Sequence, residues 1–248
     1  MKRNVLIFAA LALLAAIALA AYVLRDPEAA SAPIAAVPLE VEAASPPAEA
    51  EAPAEPAAET PPEPAAFVPE GIVVFVIAQD ASEARFSIDE ILNGSPTTAI
   101  GVTDQVAGEI AIDFANPANT RVGVITINAR TLATDRENRN RMIRNEILDT
   151  AEFEFITFTP TAITGLPAAI IPGETVTFLI TGDLTIRAIT VQQTFQITAT
   201  VGADGRLSGY GVATVLRSDY DLIIPSVPSV ADVSDEVILE IEFVALPK

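Results

Sequence analysis

The chain of 248 residues contains no cysteine and no histidine, and its 14 Lys+Arg stand against 33 Asp+Glu, a formal charge of −19. Without cysteine there is no thiolate nucleophile, no disulfide and no residue to carry a lipoprotein's acyl chains. Without histidine a Ser-His-Asp triad cannot be built, zinc sites of the usual type are absent, and so is the side chain that most often moves protons near neutral pH. The shortage of bases argues against nucleic acid, which proteins bind mainly through Lys and Arg. Paired carboxylates or an oxygen-ligand metal site remain compatible with the composition. The balance favours a binding protein over an enzyme, and no motif implies a cofactor.

What is present divides into three segments. Residues 1–25 contain the uncharged run Val5–Leu24, preceded by Lys2 and Arg3. Twenty residues at about 1.5 Å each span roughly 30 Å, enough for a transmembrane helix. The flanking charges place the N-terminus in the cytoplasm and the rest of the chain outside it, as a single-pass cell-membrane protein. The alternative is a cleavable signal peptide, because Ala18-Leu19-Ala20 resembles a small-x-small cleavage site. Residues 26–66 hold nine acids, no base and ten prolines, with few large apolar side chains. That composition predicts a disordered linker reaching roughly 35 Å as a coil and about 125 Å as extended polyproline.

Residues 67–248 change to short β-rich runs separated by turn residues. Ile72–Ala78, Arg85–Leu92, Thr98–Thr103, Gly108–Phe114, Arg121–Arg130, Phe153–Ile163, Glu174–Ile186, Thr190–Val201, Leu207–Arg217 and Val237–Ala245 all read as strands. The last alternates cleanly, with Val237, Leu239, Ile241 and Phe243 on one face and Glu236, Glu240 and Glu242 on the other. This spacing predicts an all-β domain, an antiparallel barrel closed or nearly closed, with one short helix.

That helix covers Thr134–Leu148, with Thr134 or Asp135 as its N-terminal cap. Projected at about 100° per residue, Arg139 falls inside the apolar stripe of Met142, Ile143 and Ile147, while Arg141 and Arg144 fall on the opposite, solvent-facing side. A guanidinium in a buried stripe needs a partner. Either an internal carboxylate such as Asp183 or Asp219 pairs with Arg139, or Arg139 faces the polar or anionic head of a ligand.

Three stretches together resemble the YceI-like family. They are Thr134 with Arg139-Asn140-Arg141-Met142-Ile143 and then Phe153, Phe155 and Phe158; Gly182-Asp183-Leu184-Thr185-Ile186-Arg187-Ala188; and Arg217-Ser218-Asp219-Tyr220-Asp221 followed by Val233-Ser234-Asp235-Glu236-Val237. The sequence departs from the family pattern where Met142 replaces a helix histidine, Asn140 an aspartate, and Ala188 and Asp221 two glycines. The resemblance implies an exported, lipocalin-like β-barrel that binds polyisoprenoid lipids.

Two functional classes follow from these readings. In the first, the barrel encloses the apolar tail of an isoprenoid lipid, a polyprenyl phosphate or a quinone, for carriage or storage. Its ligand-binding residues are then Arg139, Met142, Phe153, Phe155, Phe158, Phe178, Ile180, Phe195 and Ile197, although alternation alone leaves open which of the strand residues point inward. In the second, the barrel is filled and serves as a tethered structural or interaction domain. An enzyme is the weakest reading, resting on carboxylates at Asp219, Asp221, Asp232 and Asp235. The acidic surface suits a monomer, and edge strands leave a homodimer open.

Overall fold

The computed structural model describes residues 28–31, 33–40, 67, 69 and 71–248. The expected membrane helix and residues 41–66 of the linker lie outside the described residues. Among the described residues no helix is long and apolar enough to cross a membrane.

The domain is one antiparallel sheet of thirteen strands, curled into a half-barrel. Its strands are β1 (Ile72–Ile77), β2 (Glu83–Leu92), β3 (Ser95–Thr103), β4 (Val106–Ala107), β5 (Glu109–Asp113), β6 (Arg121–Val122), β7 (Ile125–Asn128), β8 (Phe155–Thr164), β9 (Thr175–Ile186), β10 (Ile189–Val201), β11 (Leu207–Leu216), β12 (Val230–Ala231) and β13 (Glu236–Pro247). The path runs β4-β7-β8-β9-β10-β11-β13-β1-β5-β6. β13 is its spine. One edge pairs with β11 from Glu236 to Ala245, while the other pairs with β2 and then β1. The ten expected strands are present, but the expected run Arg121–Arg130 is broken at Gly123-Val124.

Alternation fixes what each face does. On β9 the inward side carries Ile180, Leu184 and Ile186, all buried. The outward side pairs with β10 through hydroxyls, Thr175 with Thr200, Thr177 with Thr198, Thr181 with Thr194 and Thr185 with Thr190. β-branched threonine suits a pleated, solvated surface, and such cross-strand pairs stabilise it. At Gly182 a Cβ would lie 2.5 Å from the Thr159 carbonyl oxygen, so only glycine fits against the irregularity between Pro160 and Ala162 of β8.

The strands at the two ends of the path are consecutive in the chain, β4 with β5 and β6 with β7, and their pairings are short. β4 pairs with β7 at two positions and β5 with β6 at two positions, with Gly108 and Gly123-Val124 interrupting the ladder. Along this seam lies part of the segment expected to be disordered. The Ser31 N–H and hydroxyl both donate to Glu154 at 2.7 Å. Gln79 donates to the Ile34 carbonyl, and the Leu39 N–H donates to Glu109 at 2.7 Å. Arg130 reaches the Ala29 carbonyl and Glu28. Residues 28–31 and 33–40 of the expected linker make these contacts and form a strap down the seam. Proline and alanine disfavour a regular element here but leave backbone amides free to bond the domain's carboxylates. Gly123 admits the strap, since a Cβ there would sit 3.2 Å from Leu39 Cγ.

The expected helix is shorter than its pattern. α1 covers Glu137–Met142 and passes into a π-helical turn at Ile143–Ile147. Arg136, in an extended conformation, precedes it without a side-chain cap. Thr134 instead accepts the Arg136 N–H and donates to Asn140 Oδ1. Arg144, expected in solvent, donates to the Arg130 carbonyl and to Glu137.

The strap rests on two carboxylates. Burial alone would raise Glu109, but bonds from the Leu39 N–H and Lys248 outweigh it and hold its carboxyl below the ordinary value of 4.5. Glu154 is likewise lowered, with burial opposed by Ser31, Asn128 and Arg130. A depressed carboxylate contributes stability that is complete above its unfolded pKa and lost as pH falls through its folded one. Acidification below about 4.5 is therefore expected to release the strap, read as loss of amide-exchange protection, relative to the intrinsic rate at each pH, at Ser31 and Leu39. Glu109→Gln with Glu154→Gln should remove that pH dependence and cost roughly 1–3 kcal/mol per site in denaturant melts.

Candidate functional site

The inward faces do not fill the space they enclose. They surround a cavity of about 810 Å³, well inside the roughly 300–1,000 Å³ usual for small-molecule sites. Its walls are aliphatic and aromatic. Alternate residues of β13, Val237, Leu239, Ile241 and Phe243, line it as the sequence pattern required. The helical segment contributes Arg139, Met142, Ile143 and Ile147, the stripe expected from its periodicity.

Of the nine residues singled out from the sequence, Arg139, Met142, Phe158, Phe178, Ile180, Phe195 and Ile197 line this cavity. Phe158 and Phe195 meet edge to face with centroids 4.9 Å apart. Phe153 and Phe155 do not line it. Phe155 is 39% exposed because it has the opposite parity to Phe158 on β8 and points outward. Phe153 precedes the strand and packs under the Arg187 guanidinium, 5.7 Å from its centre.

One end of the cavity is polar. Arg139 donates to Glu90 at 2.5 Å and to Asp135 at 2.6 Å, so Asp183 and Asp219 are not its partners. The Arg139 and Glu90 side chains are only 15% and 7% exposed, while Asp135 is open to solvent. Arg139 lines the cavity and an internal carboxylate balances it, Glu90 standing where Asp183 or Asp219 was expected. Glu90 was readable as its partner. It shares the inward parity of Phe86, Ile88 and Leu92 on β2, an acid among apolar positions, as Arg139 is a base among them.

Tyr220 is another polar residue of the lining that the sequence pattern did not single out for the site. It is fully buried and lines the cavity, and its hydroxyl makes no hydrogen bond of good geometry. Burial raises its pKa above the ordinary value, and neighbouring Gln193 only partly offsets this. Tyr220 is fixed by the turn that closes at Asp221, which holds the left-handed conformation at φ +50°. Aspartate tolerates that conformation better than most residues, which accounts for its standing where the family pattern has glycine. Arg217 ties the same turn to the following loop through the Ser234 and Leu222 carbonyls.

A curled antiparallel sheet around an apolar chamber with one polar end defines a class of small β-barrel-like proteins built to enclose apolar ligands. The model for the YceI-like domain matches residues 75–245, and the chain belongs to that family. Among solved structures it is similar to a polyisoprenoid binding domain from Saccharophagus degradans, with 15% identity and a TM-score of 0.57 over 70% of this chain and 98% of that one. It is also similar to BcnA of Burkholderia cenocepacia, with 21% identity and a TM-score of 0.52 over 68% of this chain and 98% of the other. At these identities the likeness is one of fold. No curated protein matches the sequence.

The ion pair generates a direct test. Arg139→Leu strands Glu90 as a buried unpaired charge and should cost about 3–5 kcal/mol in denaturant melts. Arg139→Leu combined with Glu90→Leu should recover most of that loss, because an apolar pair of similar volume needs no charge partner.

Proposed function

We propose that the protein is an extracytoplasmic, membrane-tethered binding protein that holds the apolar tail of an isoprenoid lipid in its barrel, for carriage or storage. The observation that carries this reading is the unfilled apolar cavity of about 810 Å³, lined by alternate residues of the strands. Family membership, and a fold shared with a polyisoprenoid binding domain, support the ligand class. Each methylene taken from water contributes roughly 0.8 kcal/mol before ordering costs, so a few isoprene units suffice for firm binding without any reactive side chain. Met142, Phe158, Phe178, Ile180, Phe195 and Ile197 are the proposed tail contacts, with Arg139 at the polar end. A filled interaction domain, the alternative, is not favoured by a cavity of this size.

At the polar end Glu90 and Asp135 already satisfy Arg139, while Arg136 on the rim is half exposed. The apolar run at Val5–Leu24 supports the membrane tether.

The test is gentle purification of the full chain after export in a bacterial host, solvent extraction, and mass spectrometry of released lipid. Ala199→Trp, which puts an indole into the cavity, is the control. A stoichiometric prenyl lipid in the native protein, absent from Ala199→Trp, is the expected result. A protein that emerges empty and refuses added prenyl quinone overturns the reading.

A further inference from the structure

The cavity reaches the surface where lining residues are themselves exposed, and these concentrate at one end. Arg136, Glu137 and Asn138 of the helix start and Ser229 of the loop between β11 and β13 meet both conditions, against Glu174 alone at the far end. The loop is unusual in chemistry. From Leu222 to Ala231 it runs LIIPSVPSVA without a charge. Leu222, Ile224 and Val227 line the cavity, while Ile223 between them is 77% exposed, the most exposed of the large apolar side chains among the described residues. One loop thus presents apolar side chains both into the chamber and outward at its mouth.

The strap enters at the same end. Its first described residues, Glu28 and Ala29, bond Arg130. The Arg130 carbonyl accepts from Arg144, and Arg144 also donates to Glu137 on the rim. Upstream of Glu28 only Arg25, Asp26 and Pro27 separate it from the apolar run ending at Leu24. Even fully extended, the steps from Leu24 to Glu28 cover no more than about 14 Å. A linker that was free from Asp26 to Ala66 would let the domain wander far from the bilayer, whereas docking at Glu28 removes that freedom and fixes which end faces it.

We infer that the strap holds the cavity mouth against the bilayer surface, and that the loop Leu222–Ala231 is the domain's contact with that bilayer. The inference rests on the membrane-tethered reading above. It deepens that reading by naming the partner surface of the site: a phospholipid bilayer, from which a long apolar ligand passes into the chamber without crossing water. A loop without charge needs no anionic lipid, and a chain of charge −19 would be repelled by one.

The protein contains no tryptophan, so a single introduced indole reports its own surroundings. The full chain carrying Ile223→Trp is reconstituted in phosphatidylcholine vesicles, with Ile171→Trp, an exposed apolar position at the opposite end, as control. Ser226→Trp reports the same loop should Ile223→Trp fail to fold. The expected result is a blue-shifted emission at position 223 or 226 that brominated phosphatidylcholine quenches, with position 171 unquenched. Glu154→Gln with Glu109→Gln, which loosens the strap, should reduce the quenching while the protein still floats with the vesicles. Equal, weak quenching at both ends of a protein that floats overturns this inference alone. A full chain that does not float with vesicles overturns it together with the tethered reading, whatever lipid the cavity holds.

Discussion

Glu109 is the residue on which three distant parts of the chain converge. It sits nearly buried at the junction of β4 and β5, where the curled sheet meets itself over its shortest pairings. From one side it receives the Leu39 N–H of the strap, and from another the Lys248 ammonium beyond β13. A carboxylate buried there alone would be costly, but two donors, one charged, turn it into a fastening. The seam is weak in ladder hydrogen bonds, and Glu109 supplies what the interrupted ladder lacks.

The cavity follows from the same geometry. Once the sheet curls, every inward position must be apolar, yet the side chains the strands supply are too few to fill the enclosed space at the density of a protein interior. The helix and its π-helical turn cover one end without plugging it, and they bring Arg139 in with them. Its charge is tolerated because Glu90 approaches from β2. The pair belongs to the wall, and leaves the chamber electrically neutral toward whatever occupies it.

Much of this was legible from residue order. Alternation on β13 separated the lining face from the solvent face, and the helical projection placed Arg139 in the lining stripe. Phe155 was misjudged because the run Phe153–Ile163 contains phenylalanines of both parities, and only pairing to Asn128 settles which way each faces. Glu90 carried a signal that went unread: an acid in phase with three apolar neighbours asks for a base, and Arg139 was the matching anomaly. The strap had no such signal. Its composition is that of a linker, and its order comes from backbone amides meeting Glu109 and Glu154, an interaction that no periodicity within residues 28–40 encodes.

The docked strap changes what the remaining linker is. Leu39 is fastened to Glu109, and Phe67 donates its N–H to the Ala203 carbonyl, so the chain between them joins two fixed points on one domain. A protease that cut within residues 41–66 would sever the polypeptide yet leave the barrel held by Ser31, Leu39 and Arg130. The two fragments would then part only as fast as the strap dissociates, a rate set by how firmly two glutamates grip a peptide backbone.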